Sequence, residues 1–348
     1  MINIDNFIIN DDSECYIIAE ISANHCNSFE IAKKTIIAAK ESGANAVKIQ
    51  TYTADTMTID CKSDLFRISG GTIWDGQYEY DIYKEGTMPW EWQPKLKEIA
   101  DEIGITLFST PFDKTAVDFL EKMNVPVYKV ASFEAVDIPL IKYIASKNKP
   151  IIISTGIIEK DEIFDIVDAC NEVNNDNLIL LKCISSYPAP LEEMNLKTLI
   201  DMKTTFNTIV GLSDHTMDLE CVLAAVALGA KVVEKHFTLD RTLGGPDALF
   251  SMEPNNFKEM VDSIRKVEKA LGNISYNLSE KSKLNRNYSR SLFIVKDMVK
   301  GDIFSDSNLK SIRPGYGISP KEYENILGKK CSQNIKRGTP MSYDYINC

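Results

Sequence analysis

The stretch Thr208–Phe237, TIVGLSDHTMDLECVLAAVALGAKVVEKHF, carries the pattern that decides the fold. Its ends are short β-branched runs, Thr208–Leu212 and Lys231–His236. Between them Leu219–Leu228 is apolar at helical spacing. Strand, helix and strand in 30 residues read as one parallel unit with a helical crossover. Both runs finish in residues that carry chemistry: Ser213 and His215 after the first, Glu234 and His236 in the second. Residues two apart on a strand share a face, so each pair projects together while Lys235 projects the opposite way.

The same rhythm runs upstream. Strand candidates are Cys15–Ile21, Ala46–Gln50, Ile105–Ser109, Val127–Ala131, Pro150–Ser154 and Leu178–Cys183. Amphipathic segments separate them at Phe29–Ser42, Trp90–Ile103, Lys114–Lys122, Ile138–Ser146 and Glu159–Asn171. Eight strands alternating with helices within residues 1–272 have the count and size of an α/β (β/α)8 TIM barrel, with a doubly wound open sheet as the competing layout. The strand ends favour the barrel. They finish in Glu20, Lys48 and Gln50, Ser109 and Thr110, Lys129 and Ser132, Ser154 and Thr155, and Ser185 and Tyr187. A barrel turns the carboxyl ends of its strands toward one mouth.

Thr51–Met88 is too long for an ordinary βα loop. It holds Gly70-Gly71-Thr72-Ile73-Trp74-Asp75-Gly76, then Tyr78, Tyr80 and Tyr83. Such a loop either covers a polar organic ligand such as a sugar or packs on the barrel rim. After Gly272 the pattern changes. Residues 273–288 are polar and read as a linker, and residues 289–348 form a small Gly- and Pro-punctuated unit with short strands.

The chain has 348 residues, with 39 Lys and Arg against 50 Asp and Glu, a net charge of −11. That balance argues against nucleic acid or an anionic membrane as the main partner. A few cations in a cleft can still hold a small anion. No export signal and no apolar run of about 18 residues is evident. The eight cysteines are scattered without a CxxC, which suits reduced thiols in the cytoplasm.

Among the three histidines, His25, His215 and His236, the last two end neighbouring strands. They can share one divalent ion whose other ligands are oxygens; the alternative is one catalytic base and one structural histidine. Lys48 and Lys129, with Thr110, Ser132, Ser154 and Ser213 close by topology, suit a phosphate. No Walker motif or GxGxxG points to a nucleotide. Glu20, Glu134 and Asp247 complete the mouth as acid–base candidates.

These residues lie in motifs that resemble the sialic acid synthase family nearly end to end. They are AEISANH (Ala19–His25), VKIQTY (Val47–Tyr52), FSTPF (Phe108–Phe112), YKVASFE (Tyr128–Glu134), STG (Ser154–Gly156), GLSDHT (Gly211–Thr216), EKHF (Glu234–Phe237) and GPD (Gly245–Asp247). The final segment resembles the antifreeze-like SAF domain, with Arg313-Pro-Gly in place. Gly70–Gly76, Tyr80–Tyr83 and Pro89–Trp92 are most similar to the pseudaminic acid branch.

The resemblance implies a transferase that joins phosphoenolpyruvate to an N-acetylated 6-deoxy aldose. It places phosphoenolpyruvate on Lys48, Gln50, Thr110, Lys129, Ser132, Ser154, Ser185 and Ser213. It gives His215 and His236 a divalent metal, Mn²⁺ before Mg²⁺ or Co²⁺, and counts both with Glu20 and Glu134 as catalytic. The sugar falls to Glu134, Tyr187, Asp247, Tyr288 and Arg313, the last reaching over from the partner in a domain-swapped homodimer. Neuraminate or legionaminate chemistry on another aldose, a Schiff-base aldolase on Lys129 or Lys48, and a non-enzymatic carbohydrate-binding protein are the competing functions.

Overall fold

A computed structural model of the protein describes residues 1–69, 71 and 74–347. Contacts divide the chain into two compact units, Met1–Gly272 and Asn273–Cys348. In the first, the strands are β3 (Tyr16–Glu20), β4 (Ala46–Thr51), β5 (Thr106–Pro111), β6 (Tyr128–Val130), β7 (Ile151–Ser154), β8 (Leu178–Cys183), β9 (Ile209–Asp214) and β10 (Val232–His236). They run parallel and close in sequence order, β10 returning to β3 through Val232↔Tyr16 and His236↔Glu20. The barrel read from the alternation is the fold.

Helices α1 (Phe29–Glu41), α4 (Gln93–Ile103), α5 (Lys114–Lys122), α6 (Ile138–Ala145), α7 (Lys160–Asn171), α8 (Thr198–Phe206), α9 (Glu220–Ala227) and α10 (Pro254–Leu271) alternate with the strands. Their starts follow local chemistry. Asp113 accepts from the amides of Thr115 and Ala116 at α5, and Asp137 from Leu140 at α6, satisfying donors that a helix start leaves orphaned. Trp90–Ile103 is not one helix as expected: Trp90–Trp92 is a 3₁₀ turn, and α4 begins after it with Pro94 in its first turn. Among the described residues no helix is long and apolar enough to cross a membrane.

The end of the barrel opposite the mouth is closed by a hairpin that periodicity did not reveal, β1 (Ile2–Ile4) with β2 (Phe7–Ile9). Ile2, Ile4 and Ile9 are buried, and the Phe7 ring meets Tyr16 at the start of β3 with centroids 5.0 Å apart. Three-residue strands are too short to show alternation, so only burial identifies them.

The insertion after β4 folds into α2 (Ala54–Met57), a 3₁₀ turn at Asp64–Phe66 and α3 (Glu79–Gly86). Gly70, Thr72 and Ile73 of the expected aromatic loop lie outside the described residues. His25 anchors the far end of the insertion: its Nε2 lies 3.2 Å from the Gly86 carbonyl, and its Nδ1 accepts from the Asn27 amide. It is a buried structural histidine that does not line the mouth.

In the second unit, β11 (Ser291–Ile294) pairs antiparallel with β12 (Leu309–Ile312). Leu292, Ile294, Met298, Phe304, Leu309, Ile326, Ile335 and Met341 form its own core. The stretch read as a linker contains a short helix, α11 (Glu280–Asn285), and a 3₁₀ turn at Arg286–Tyr288.

Strand closure leaves no room at Gly211 on β9. A Cβ there would stand 2.3 Å from the Val232 carbonyl of β10 and 2.6 Å from Leu181 Cδ2 of β8. Gly211→Ala is expected to cost about 3 kcal/mol, the upper end of ordinary overpacking, read by guanidinium unfolding. A loss below about 0.5 kcal/mol, the range of neutral surface changes, would show that the strands can part there.

Candidate active site

A cavity of about 500 Å³ opens at the carboxyl ends of the barrel strands. Its floor is built by register. Glu20 closes β3, Lys48 and Gln50 alternate on β4, Lys129 stands on β6, Ser154 ends β7, and Glu234 and His236 alternate on β10. Ser132 and Glu134 come from the 3₁₀ turn after β6; Ser185 and Tyr187 follow β8, and Asp247 follows β10. Ser213 and His215 come from β9 and the residue after it.

Two buried lysines dominate the floor. Lys48 Nζ lies 2.7 Å from Glu20 Oε2, donates to Thr110 Oγ1 at 3.1 Å and lies 3.8 Å from Glu234 Oε1. Lys129 Nζ donates to Ser154 Oγ at 2.7 Å and to its neighbour Val130 O at 2.8 Å, and lies 4.0 Å from the same Glu234 oxygen. Glu234 therefore stands between the two ammonium groups, and Ser213 Oγ donates to it at 3.3 Å. Gln50 Nε2 donates to Glu20 Oε1 and to Ser22 Oγ, fixing the Glu20 carboxylate.

The titration pattern follows. Burial pulls Lys48 down, but Glu20 and Glu234 outweigh it and hold it above its usual value. Burial wins at Lys129, which is lowered despite Glu234. Burial also raises Glu234, but the two lysines outweigh that and depress it. Burial lifts Glu20 to about 7 against the pull of Lys48. Glu134 reaches about 7 chiefly by burial, and its Oε2 is buried without a hydrogen-bond partner.

The two imidazoles meet at the mouth, with ring centroids 5.3 Å apart. His215 Nδ1 lies 2.9 Å from the Ile184 carbonyl, so that nitrogen carries a proton; burial lowers the ring's pKa, but Cys183 and that carbonyl outweigh it and hold it above its usual value. His236 Nδ1 is buried with no hydrogen-bond partner, and burial followed by repulsion from His215 keeps the ring well below its usual pKa and neutral. Two imidazoles this close fit a divalent ion, which binds their neutral forms and would displace the proton that His215 favours. Among the described residues no group of three or more His, Cys, Asp and Glu is arranged for a metal, so further ligands would come from substrate oxygens and water. Tyr187 and Phe250 box the pair in, Tyr187 at 4.4 Å from His215 and Phe250 at 4.9 Å from His236 between centroids.

The insertion adds a largely apolar lining to the cavity, with Glu79 and Tyr83 as its polar members. Met57, Ile68, Trp74 and Ile82 line the cavity with Phe112 and Phe133 from the βα loops, and Trp74 meets the Tyr187 ring at 5.8 Å.

The structure brings together most of the residues singled out from sequence. Thr110 stands behind Lys48 rather than on the cavity surface. Ser109 and Thr155 turn away: Ser109 Oγ meets Thr51 Oγ1, and Thr155 Oγ1 donates to Leu181 O. Tyr288 and Arg313 belong to the second unit. Sequence reasoning gave no role to Glu234, although strand parity had placed it with His236. It missed Cys183, whose thiol burial raises but His215 and Lys129 pull down to about 7, and it missed Phe250. A lone Cys or Phe in an apolar run carries no signal that separates cavity lining from core.

Against this geometry, the NeuB family model matches residues 35–276, well over half of the chain, and the SAF domain model matches residues 289–346. The chain belongs to the NeuB family. It is 46% identical over 329 residues to a pseudaminic acid synthase of Campylobacter jejuni, covering 94% of this chain and 96% of that one. It is 43% identical over 331 residues to the Helicobacter pylori pseudaminic acid synthase, covering 95% and 97%. The crystal structure of an N-acetylneuraminic acid synthetase from Leptospira borgpetersenii superposes with a TM-score of 0.74 at 29% identity, covering 82% of this chain and 94% of that one.

One glycine lets the hydroxyls converge in this NeuB-family cavity. A Cβ on Gly156 would lie 2.2 Å from Ser185 Oγ and 2.7 Å from Ser132 Oγ. Both hydroxyls can rotate away, so Gly156→Ala is expected to fold but to raise the KM of an anionic substrate about tenfold, the loss of roughly one good hydrogen bond to a charged group. An unchanged KM with a normal melting temperature would remove the two serines from anion binding.

Proposed function

We propose that this protein is a pseudaminic acid synthase. It condenses phosphoenolpyruvate with 2,4-diacetamido-2,4,6-trideoxy-L-altrose to give pseudaminic acid and phosphate. The observation that carries the reading is the mixed lining of the cavity: buried lysines and hydroxyls from the strand ends, and Met57, Ile68, Trp74 and Ile82 from the insertion. The floor suits the phosphate and carboxylate of phosphoenolpyruvate. The apolar lining suits methyl groups, because a sugar hydroxyl facing it would lose its hydrogen bonds. The high identity to the Campylobacter and Helicobacter enzymes supports the same substrate.

Lys48 and Lys129 hold the anion, with Gln50, Ser132, Ser154, Ser185 and Ser213 as donors around it and Thr110 steadying Lys48. Asp247, Tyr187 and Glu134 face the open-chain sugar; Tyr288 of the linker and Arg313 of the SAF unit are the further sugar contacts the family resemblance implies, Arg313 from the partner subunit of a domain-swapped homodimer in the cytoplasm. His215 and His236 would hold a divalent ion, Mn²⁺ by preference, which when bound would supply Lewis-acid polarisation of a carbonyl oxygen.

The methylene carbon of phosphoenolpyruvate bonds to the aldehyde carbon with the electron pair of its C=C bond, and the alkoxide formed takes a proton from solvent water, to which Glu134 later returns the one it accepts. Glu20 and Glu234 face the cationic centre this leaves at the enol carbon. Water adds there, and Glu134 takes its proton. The C–O bond to phosphate then breaks and the 2-keto acid forms. Glu134 is the better proton carrier because Glu20 is tied to both Lys48 and Gln50. The Schiff-base alternative is disfavoured, since Lys129 is already donating to Ser154 and to Val130 O.

Glu134, at about 7, gives a signed pH dependence. Its carboxylate form gains population as pH rises through 7, so the acid limb of kcat is expected near pH 7. Glu134→Gln is expected to lower kcat by about 10²–10⁴ and to remove that limb. Retention of both would move the proton role to Glu20.

The deciding assay is phosphate release with Mn²⁺ and three acceptors: the L-altrose, its D-mannose-configured counterpart, and N-acetylmannosamine. Turnover with the altrose alone, ¹⁸O from the bridging position appearing in phosphate, and loss of turnover on chelation are expected. Preference for another aldose would keep the chemistry and overturn the reading of the apolar lining. Borohydride trapping of a lysine adduct would overturn the chemistry.

A further inference from the structure

Lys235 points away from the cavity, between Glu234 and His236 that point into it. It is 1% exposed, yet it sits where a barrel normally packs apolar residues against helices. Its Nζ lies 2.5 Å from Asp214 Oδ2, itself on a side chain 1% exposed. It also donates to the Thr216 carbonyl at 2.6 Å and reaches the Asp218 carbonyl at 3.3 Å. Asp214 in turn accepts from the Thr216 amide and hydroxyl, both at 3.0 Å. One ammonium group thus gathers Asp214, Thr216 and Asp218, the segment that carries His215, onto the residue that precedes His236.

The main chain does not do this by itself. The β9–β10 register ends at Lys235↔Asp214, and His215 and His236 lie one residue beyond it. Past that point the main chain ties each segment to other elements, His236 to β3 and the Met252 amide and His215 to the Ala189 amide, and the bonds that cross directly between the two segments are those of side chains. A buried ion pair is a poor device for stability, since apolar residues of similar volume usually serve as well or better. Its bonds are directional, however, and here they cross between the two strand ends whose imidazoles must keep their distance.

We propose that Lys235 and Asp214 are positioning residues that set the spacing of His215 and His236 for a divalent cation. This rests on the reading of those imidazoles as a metal site. Neither side chain touches the ion or the substrate; the pair acts through the backbone of the residues beside it.

The test is Mn²⁺ binding to the full-length protein, followed by electron paramagnetic resonance of the free ion, with thermal melting of the metal-free protein alongside. Asp214→Asn combined with Lys235→Met keeps the side-chain volumes and the turn bonds to Thr216 while removing the crossing. The double variant is expected to melt within a few degrees of the parent and to bind Mn²⁺ about 10- to 100-fold more weakly, the range for supporting groups behind metal ligands. Its KM for phosphoenolpyruvate should stay close to the parent's, because the lysine floor is untouched.

His236→Ala is the control and should abolish tight binding. Parent-like Mn²⁺ affinity in the double variant, with binding lost in His236→Ala, would overturn the positioning role and leave the metal site standing. No binding by the parent would overturn both. If the double variant does not fold, Asp214→Asn alone keeps the lysine bonded to Thr216 and Asp218; weakening of about tenfold supports the proposal, and parent-like affinity overturns it.

Discussion

Two ammonium groups buried at the mouth of a barrel must be neutralised, and the rest of the site is arranged around that requirement. Lys48 takes Glu20, and Lys48 and Lys129 share one oxygen of Glu234. Charges this deep are costly unless paired and hydrogen-bonded, which is why Thr110, Ser154, Ser213 and Gln50 crowd around them. The balance is close enough that Lys48 ends above its ordinary pKa and Lys129 below it. A second anion can therefore compete for both lysines, which is what the proposed binding of phosphoenolpyruvate demands.

The barrel supplies this arrangement cheaply because register does the positioning. Closure of β10 on β3 sets Glu20 beside His236, and pairing of β3 with β4 sets Lys48 beside Glu20. The insertion after β4 is held differently: among its described residues the backbone pairing is the isolated bridge Arg67↔Tyr78. It is tied down by single bonds, such as His25 to Gly86 and Trp90 Nε1 to the Tyr52 carbonyl. The polar part of the cavity is thus set by strand register, and the apolar part comes from a separately held insertion.

Much of this was legible in the chain. Alternating runs announced the barrel, and parity put Lys48 with Gln50 and Glu234 with His236 on the inner face. Parity was not enough where two polar residues adjoin. Ser109 and Thr110 are neighbours at one strand end, and only the fold shows Thr110 on Lys48 while Ser109 bonds to Thr51. The hairpin at the closed end went unread because three-residue strands have no period to detect. Ile82 went unread because an apolar residue looks the same in sequence whether it lines a cavity or fills a core.

The sequence by itself determined the fold class, the shared face of strand residues two apart, and the family. Those follow from local periodicity, from the two-residue repeat of a strand and from motif order. Only the tertiary structure decided which charges pair, which carboxyl is left without a partner, and that Lys235 reaches across to Asp214. Ion pairing and desolvation depend on distances between residues far apart in the chain, and those distances exist only once the barrel has closed.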